Sequence, residues 1–162
     1  MHRRMLLGAS LLALAAPARA GERWSLVTAA RAEERWLLVT PEEVRLDRAA
    51  PPPVKTRGLT PAGAPEILVD QPDAGKPLHA PLTFRVRFNP AAGAAINPGS
   101  FRATYGAMGL DITSRLLQHA RMTGQVLAAE NVDISSGTHM VTLSIADTAG
   151  RTGSRTFRFT VG

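Results

Sequence analysis

The chain has 162 residues, of which 44% are hydrophobic and 20% are charged, and its formal net charge is +6. It contains no cysteine, which excludes disulfide bonds and thiolate catalysis. Aromatic residues make up only 5% of the chain, so a folded core has to be built mainly from aliphatic side chains. The length suits one domain of ordinary size with a short appendage.

Residues 1–20 have the order of an export signal. The basic pair Arg3-Arg4 comes first, an uncharged apolar stretch runs from Met5 to Pro17, and Ala18-Arg19-Ala20 supplies small residues at the cleavage positions. The apolar stretch is shorter than the roughly 20 residues that a membrane-spanning helix needs. We therefore expect cleavage before Gly21, a periplasmic or secreted protein, and no transmembrane segment in the mature chain. Arg3-Arg4 also fits a twin-arginine signal, so the export route stays open.

Cleavage would change the charge of the protein. Removing the three arginines of residues 1–20 lowers the formal net charge from +6 to +3. A nucleic-acid-binding surface needs a basic cluster interleaved with aromatic residues, whereas arginines alternate with acidic residues along most of this chain. We expect no nucleic-acid partner.

The predicted appendage, residues 21–48, contains a short internal repeat. The sequence "ERWSLVT" at 22–28 returns as "ERWLLVT" at 34–40, and its composition fits a short β-strand. Three interpretations stay open: the tryptophans pack on the main domain, the segment docks on the sheet edge of a partner, or it is disordered. The second interpretation makes Trp24, Trp36 and Leu38 the predicted partner contacts.

A helix and a linker follow the repeat. In Thr40-Pro41-Glu42-Glu43, threonine is a good N-cap, proline suits the first helical position and glutamate the third, so we expect a helix that ends before Pro51. The stretch "AAPPPVKTRGLTPAGAP" at 49–65 is proline-rich, which is typical of semi-rigid spacers. It predicts a linker at 49–65 and a main domain at 66–162.

The main domain consists of strand patterns separated by turn residues. The clearest is 82–88, where Leu82, Phe84, Val86 and Phe88 alternate with polar side chains. Strands are predicted over 67–69, 82–88, 101–105, 110–113, 125–132, 141–145 and 156–161, and a helical turn only within 113–121. Short strands at this spacing indicate an all-β protein, an antiparallel β-sandwich of about seven strands.

Two stretches of this domain resemble the bacterial immunoglobulin-like (Ig-like) domain family. "INPGSFRATYGAMGLDIT" at 96–113 resembles a strand and hairpin of that family, and "SSGTHMVTLSIADTAGRTGSRTFRFTV" at 135–161 resembles its closing hairpin. Together they cover about half of the domain, and Arg151 stands where the family usually has asparagine. The resemblance implies an Ig-like sandwich that serves as a spacer, an adhesion unit or a binding accessory.

Several single residues have predicted positions. Asp147 is expected to accept backbone N–H groups in a turn in which Gly150 supplies a positive φ. Arg85 and Arg87 are expected to point outward from one sheet and Arg158 from the other. His139 is expected to lie on the surface of its strand.

The sequence gives little support for catalysis or for cofactor binding. It has no nucleophile-elbow sequence and no glycine-rich phosphate loop, so we predict a non-enzymatic protein without a cofactor. The alternative is copper binding, because Cu(I) favours thioether and imidazole ligands. The candidate ligands are His119, Met122, His139 and Met140, and the first two would lie together if 119–122 were helical.

The start of the domain, with "APLTFRVRFNP" after the proline-rich stretch, also resembles periplasmic copper-resistance sandwich proteins. Those proteins use a histidine at the mature N-terminus, where this chain has Gly21. The sequence therefore predicts an exported Ig-like module for protein or cell-envelope interaction, with another envelope or secreted protein as its partner. A periplasmic copper-binding protein is the alternative.

Overall fold

The structure is a computed structural model that describes residues 35–51 and 61–162. The predicted signal peptide, the first copy of the repeat with Trp24, and residues 52–60 of the proline-rich stretch lie outside these ranges. No helix within the described ranges is long and apolar enough to cross a membrane.

Nine strands and two helices occur in the described residues. In chain order they are β1 Trp36–Leu37, α1 Pro41–Ala49, β2 Glu66–Gln71, β3 Leu82–Asn89, β4 Ile96–Tyr105, β5 Leu110–Asp111, α2 Thr113–His119, β6 Ala120–Thr123, β7 Val126–Asp133, β8 Gly137–Asp147 and β9 Thr152–Val161.

The strands form two sheets. The first has the order β2-β3-β7 with antiparallel pairing, and both β6 and β1 pair with β7, β1 in parallel. The second has the antiparallel order β5-β4-β8-β9. The Ig fold divides its strands between two sheets in the same way. The predicted all-β antiparallel sandwich is confirmed.

The core lies between the inner faces of the two sheets. Along β3, buried and exposed residues alternate without exception, as the period-two pattern predicts. The ring of Phe84 packs edge-on against Phe159 with centroids 5.7 Å apart, and Phe88 packs against Phe101 at 5.9 Å. Each such side chain stabilises the fold by about 1.5–3 kcal/mol through burial, and all five phenylalanines of the chain are buried in this core.

The region after β5 differs from the prediction. A strand was expected over 110–113, but β5 ends at Asp111 because its carboxylate accepts the backbone N–H of Thr113 at 2.8 Å. The Thr113 hydroxyl in turn accepts the N–H of Ala103 at 2.9 Å, which fixes the start of α2 against β4. Strand β6, which follows α2 directly, was not predicted, because its four residues alternate over too short a stretch to stand out from the helical turn before it.

The predicted turn after β8 is confirmed. Asp147 accepts the backbone N–H groups of Ala149 at 2.9 Å and Arg151 at 3.0 Å, and Gly150 has a φ of +77°. The Arg151 side chain also donates to the Asp147 carboxylate at 2.8 Å. The residue at which this chain departs from the Ig-like pattern therefore forms an ion pair across the turn.

The arginines of the two outer faces also lie as predicted. Arg85 and Arg87 belong to β3 in the first sheet, and Arg158 belongs to β9 in the second. Arg87 forms a bidentate pair with Asp70 on the neighbouring strand, with N–O distances of 2.7 and 2.8 Å. These arginines therefore do not form one basic patch.

Candidate functional site

The second copy of the repeat is part of the sandwich. Trp36 and Leu38 are both buried in the core, and the Trp36 indole N–H donates to the carbonyl of Glu130 at 2.9 Å. Leu38 donates its backbone N–H to the carbonyl of Asp133 at 3.0 Å. Trp36 and Leu38 were predicted to contact a partner, and this burial makes them core residues instead. Of the three predicted contacts, Trp24 lies outside the described residues.

Helix α1 follows this buried segment and begins as the sequence predicts. The Thr40 hydroxyl accepts the N–H of Glu43 at 3.2 Å, and the Glu43 carboxylate accepts the N–H of Thr40 at 2.7 Å, which completes a capping box. Pro41 takes the first helical position, and the helix ends at Ala49, before Pro51. Val44 is the helical residue that is buried in the core.

The first turn of α1 is held to α2 by a charged pair. Arg115 donates to both carboxylate oxygens of Glu43, at 2.8 and 2.9 Å, and to the carbonyl of Leu38 at 2.8 Å. This hydrogen bonding from Arg115, together with the capping bonds from Thr40, outweighs the effect of burial and lowers the pKa of Glu43 to about 2. The pair is bidentate and partly buried, which is the stronger type of ion pair.

The last turn of α1 is held to two loops of the sandwich. The Asp47 carboxylate accepts the backbone N–H of Ala107 at 2.6 Å and that of Met108 at 3.3 Å, both in the turn between β4 and β5. Arg48 donates to the carbonyl of Ser136, between β7 and β8, at 3.0 Å. Helix α1 therefore spans from α2 to the β4–β5 hairpin and is attached at both ends.

An apolar groove lies between α1 and the β4–β5 hairpin. Three of its side chains are exposed to solvent: Leu46 by 54%, Met108 by 64% and Leu110 by 37%. They surround a cavity of about 160 Å³ with a mostly apolar lining; its walls are Glu43, Leu46, Asp47, Tyr105, Met108 and Leu110. An apolar cavity of about 150 Å³ can hold one benzene ring, so this one has room for one apolar side chain. We call this feature the α1–hairpin groove.

The sequence contained one signal for this groove. Leu46 lies two residues from the buried Val44, and residues two apart do not share a face of a helix. Leu46 therefore had to lie off the buried face of α1. Whether Leu46 meets Met108 and Leu110 depends on how α1 docks on the sandwich. No local sequence pattern predicts that docking.

A buried polar pair lies beneath the groove. His139 contacts the Tyr105 hydroxyl through Nδ1 at 2.8 Å and the carbonyl of Ser135 through Nε2 at 2.8 Å. Because a carbonyl only accepts, Nε2 carries the proton; in the neutral ring Nδ1 then accepts from Tyr105. The prediction that His139 lies on the surface was wrong. It has the same parity on β8 as the inward-facing Val141, and this alternation places its side chain in the core.

Burial determines the protonation of this pair. Burial is the largest cause that lowers the pKa of His139 below the ordinary histidine value of about 6.5; the charge of Arg48 acts in the same direction, and the Ser135 carbonyl and Asp47 oppose it. Burial and the negative charge of Asp47 raise the pKa of Tyr105 to about 12. Both groups are therefore neutral near pH 7.

This arrangement predicts a loss of stability in mild acid. Above pH 6.5 histidine is neutral in both the folded and unfolded chain; below it, the unfolded chain binds a proton that folded His139 resists. The free energy of unfolding should thus fall from pH 7.5 to 5.5, with a contribution from His139 of at most about 1.4 kcal/mol per pH unit.

Urea titrations of the wild type and of His139→Gln at several pH values measure this fall in the free energy of unfolding, and the variant should show the smaller fall. The exposed His79→Gln is the control and should keep the wild-type fall; equal falls in all three proteins would contradict the assignment.

The structure does not gather the candidate copper ligands as predicted. Helix α2 ends at His119, whereas Met122 lies in strand β6, so the two do not share a helix. The His119 ring stacks on Trp36 with centroids 4.5 Å apart, and both nitrogens of His139 have hydrogen-bond partners. Met140 is contacted by the guanidinium of Arg158 at 3.6 Å from its sulfur.

Comparison with known proteins finds no family model that matches this chain, and no curated protein or solved structure with significant similarity to it.

Proposed function

We propose that this chain is an exported, non-enzymatic module of the Ig-like family that binds another envelope or secreted protein through the α1–hairpin groove. One observation carries the proposal: Leu46, Met108 and Leu110 are exposed together around an apolar cavity. Exposed apolar groups that form a patch are typical of interaction sites, whereas single exposed leucines are ordinary. The partner would insert one apolar side chain into the cavity.

The attachments of α1 support this proposal. A contact surface needs a defined shape before the partner arrives, because ordering it on binding costs affinity. The ion pair of Glu43 with Arg115 and the hydrogen bonds of Asp47 to the hairpin hold the two walls of the groove in place. Export remains a prediction from residues 1–20, and determining the N-terminus of the protein outside the cytoplasm tests it, with Gly21 expected.

Site-specific crosslinking tests the groove. A photo-crosslinking residue at Leu46 should trap a specific protein in the intact producing cell, and the same residue at Leu117 serves as the matched control. Leu117 is also an exposed leucine on a helix, at 40%, but it does not line the groove. Substituting Met108→Asp should abolish the crosslink from Leu46, since a carboxylate would have to be buried at the contact. Equal products from Leu46 and Leu117, or a crosslink from Leu46 that survives Met108→Asp, would reject the groove as the contact surface.

Copper binding is the alternative function, but no arrangement of the candidate ligands among the described residues favours it. Titration of the purified protein with Cu(I) tests it directly. A site tighter than micromolar that disappears with His119→Ala or Met122→Ala would revive that alternative.

A further inference from the structure

The α1–hairpin groove carries charge of one sign only. Of its six lining residues, Glu43 and Asp47 are acidic, the other four are uncharged, and none is basic. The chain as a whole has the opposite balance, with 19 lysines and arginines and 13 acidic residues. The groove is therefore an acidic site on a basic protein, and electrostatic complementarity favours a cationic group of the partner there.

The two carboxylates differ in how far the protein already neutralises them. Both oxygens of Glu43 accept from Arg115, at 2.8 and 2.9 Å. Asp47 uses Oδ1 for the backbone N–H groups of Ala107 and Met108. Its other oxygen, Oδ2, has no hydrogen-bond partner among the described residues, and none of the ion pairs formed within them includes Asp47. Because a carboxylate accepts about four hydrogen bonds, Asp47 keeps the capacity to bind an incoming cation.

The neighbouring arginine does not cancel the charge of Asp47 inside the groove. Arg48 donates to the carbonyl of Ser136 at 3.0 Å and does not line the groove. Burial and then the negative charge of Asp47 raise the pKa of Tyr105 to about 12, and the positive charge of Arg48 opposes them. The effect of Asp47 is the larger of the two charges at Tyr105, which forms part of the groove wall, so the potential there is negative.

We propose that the groove takes a segment of the partner protein in which an apolar side chain stands next to a lysine or arginine. The inference rests on the proposed function and adds the chemistry of the partner. The apolar side chain fills the cavity between Leu46, Met108 and Leu110, and the neighbouring cation donates to Oδ2 of Asp47. Lysine and arginine suit this position because their aliphatic stems cover apolar surface while the charged group stays at the rim.

Three small probes that share a six-carbon chain and differ in the head group test the inference. They are hexylammonium, hexan-1-ol and hexanoate, and their chain has as many carbons as benzene, which an apolar cavity of about 150 Å³ can hold. NMR titrations that follow the methyl groups of Leu46, Met108 and Leu110 give the dissociation constant of each probe. Hexylammonium should bind about two- to fivefold more tightly than hexan-1-ol, as expected for an exposed ion pair. Hexanoate should bind more weakly than hexan-1-ol.

Asp47→Asn tests whether this carboxylate is the anion that binds the probe. Asparagine keeps a carbonyl oxygen for Ala107 and Met108 but has no charge. The preference for hexylammonium over hexan-1-ol should vanish in this variant, and comparing two probes in the same groove cancels any loosening of α1. Glu42→Gln is the matched control, because it removes the same charge from an exposed residue of α1 that does not line the groove. It should keep the preference.

Salt gives a readout that needs no variant. At about 1 M salt the Debye length is about 3 Å, so the preference of the wild type for hexylammonium should shrink while the affinity for hexan-1-ol does not fall. Equal binding of the two probes to the wild type in low salt, or a preference that survives Asp47→Asn, would overturn the inference. Both results would leave the groove as a purely apolar contact site.

The partner trapped by the photo-crosslinking residue at Leu46 provides a second check. The crosslinked peptide should contain a lysine or arginine next to the residue that is trapped. A specific crosslink to a peptide without such a residue would refute the basic neighbour and still support the proposed function. The absence of any specific crosslink would contradict the proposed function and this inference together.

Discussion

Replacing His139 by alanine should lower the free energy of unfolding by about 3–5 kcal/mol. The substitution removes a ring that packs against Phe159 at 5.5 Å and leaves a cavity in the core. It also leaves the Tyr105 hydroxyl and the Ser135 carbonyl without their partner, and each buried polar group without a hydrogen bond costs about 1–3 kcal/mol.

Urea unfolding of a set of variants measures this effect. His79→Ala removes the same side chain from an exposed position and should change stability by less than about 0.5 kcal/mol. Adding Tyr105→Phe to His139→Ala should cost less than Tyr105→Phe costs alone, because the unpaired hydroxyl is then absent. A loss below 1 kcal/mol for His139→Ala would show that the ring is not the buried partner of Tyr105.

Replacing Gly106 by alanine should lower the free energy of unfolding by about 3 kcal/mol and detach the end of α1 from the hairpin. Gly106 has a φ of +72°, which strains an alanine by roughly 1–2 kcal/mol. The added Cβ would also occupy the position of the Asp47 carboxylate, which would have to leave Ala107 and Met108. A hydrogen bond to a charged group contributes about 1.5–3 kcal/mol, so the strain together with the loss of the short bond from Ala107 accounts for a loss of about 3 kcal/mol.

Gly109 provides a matched control in the same hairpin. Its φ is +67°, but an added Cβ there meets no atom within 4 Å. Gly109→Ala should therefore cost only the backbone strain, about 1–2 kcal/mol, and keep the crosslink from Leu46. Gly106→Ala should lose both stability and the crosslink. Equal losses in the two variants would mean that Asp47 does not hold the hairpin.

The sandwich was predictable because its strands follow local rules. The alternation of apolar and polar residues in β3 predicts which side chains are buried, and Asp147 and Gly150 predict a turn. Both predictions were confirmed. The capping box at Thr40 and Glu43 likewise fixed the start of α1. The predicted count of about seven strands was lower than the nine described because it omitted β1, which was assigned to the appendage, and β6, whose four residues are too few to show a period.

The candidate site was harder to predict because it depends on long-range contacts. Tryptophan in a strand-like segment can pack on its own domain or on a partner, and only the pairing of Trp36 with β7 distinguishes these. The groove forms because Asp47 reaches residues sixty positions away along the chain. His139 is a different case. The alternation of apolar residues along β8 places His139 on the inward face, but the polar character of histidine favoured a surface position.

The α1–hairpin groove is a permanent surface only if α1 stays docked on the sandwich in solution. Amide hydrogen exchange over residues 35–51 tests this most directly. We expect the amides of α1 from Val44 onward to open with a free energy close to that of β8, because both ends of the helix are attached. Exchange of α1 at the rate of an unfolded peptide, while β8 remains protected, would show that α1 is not docked and that the groove does not persist.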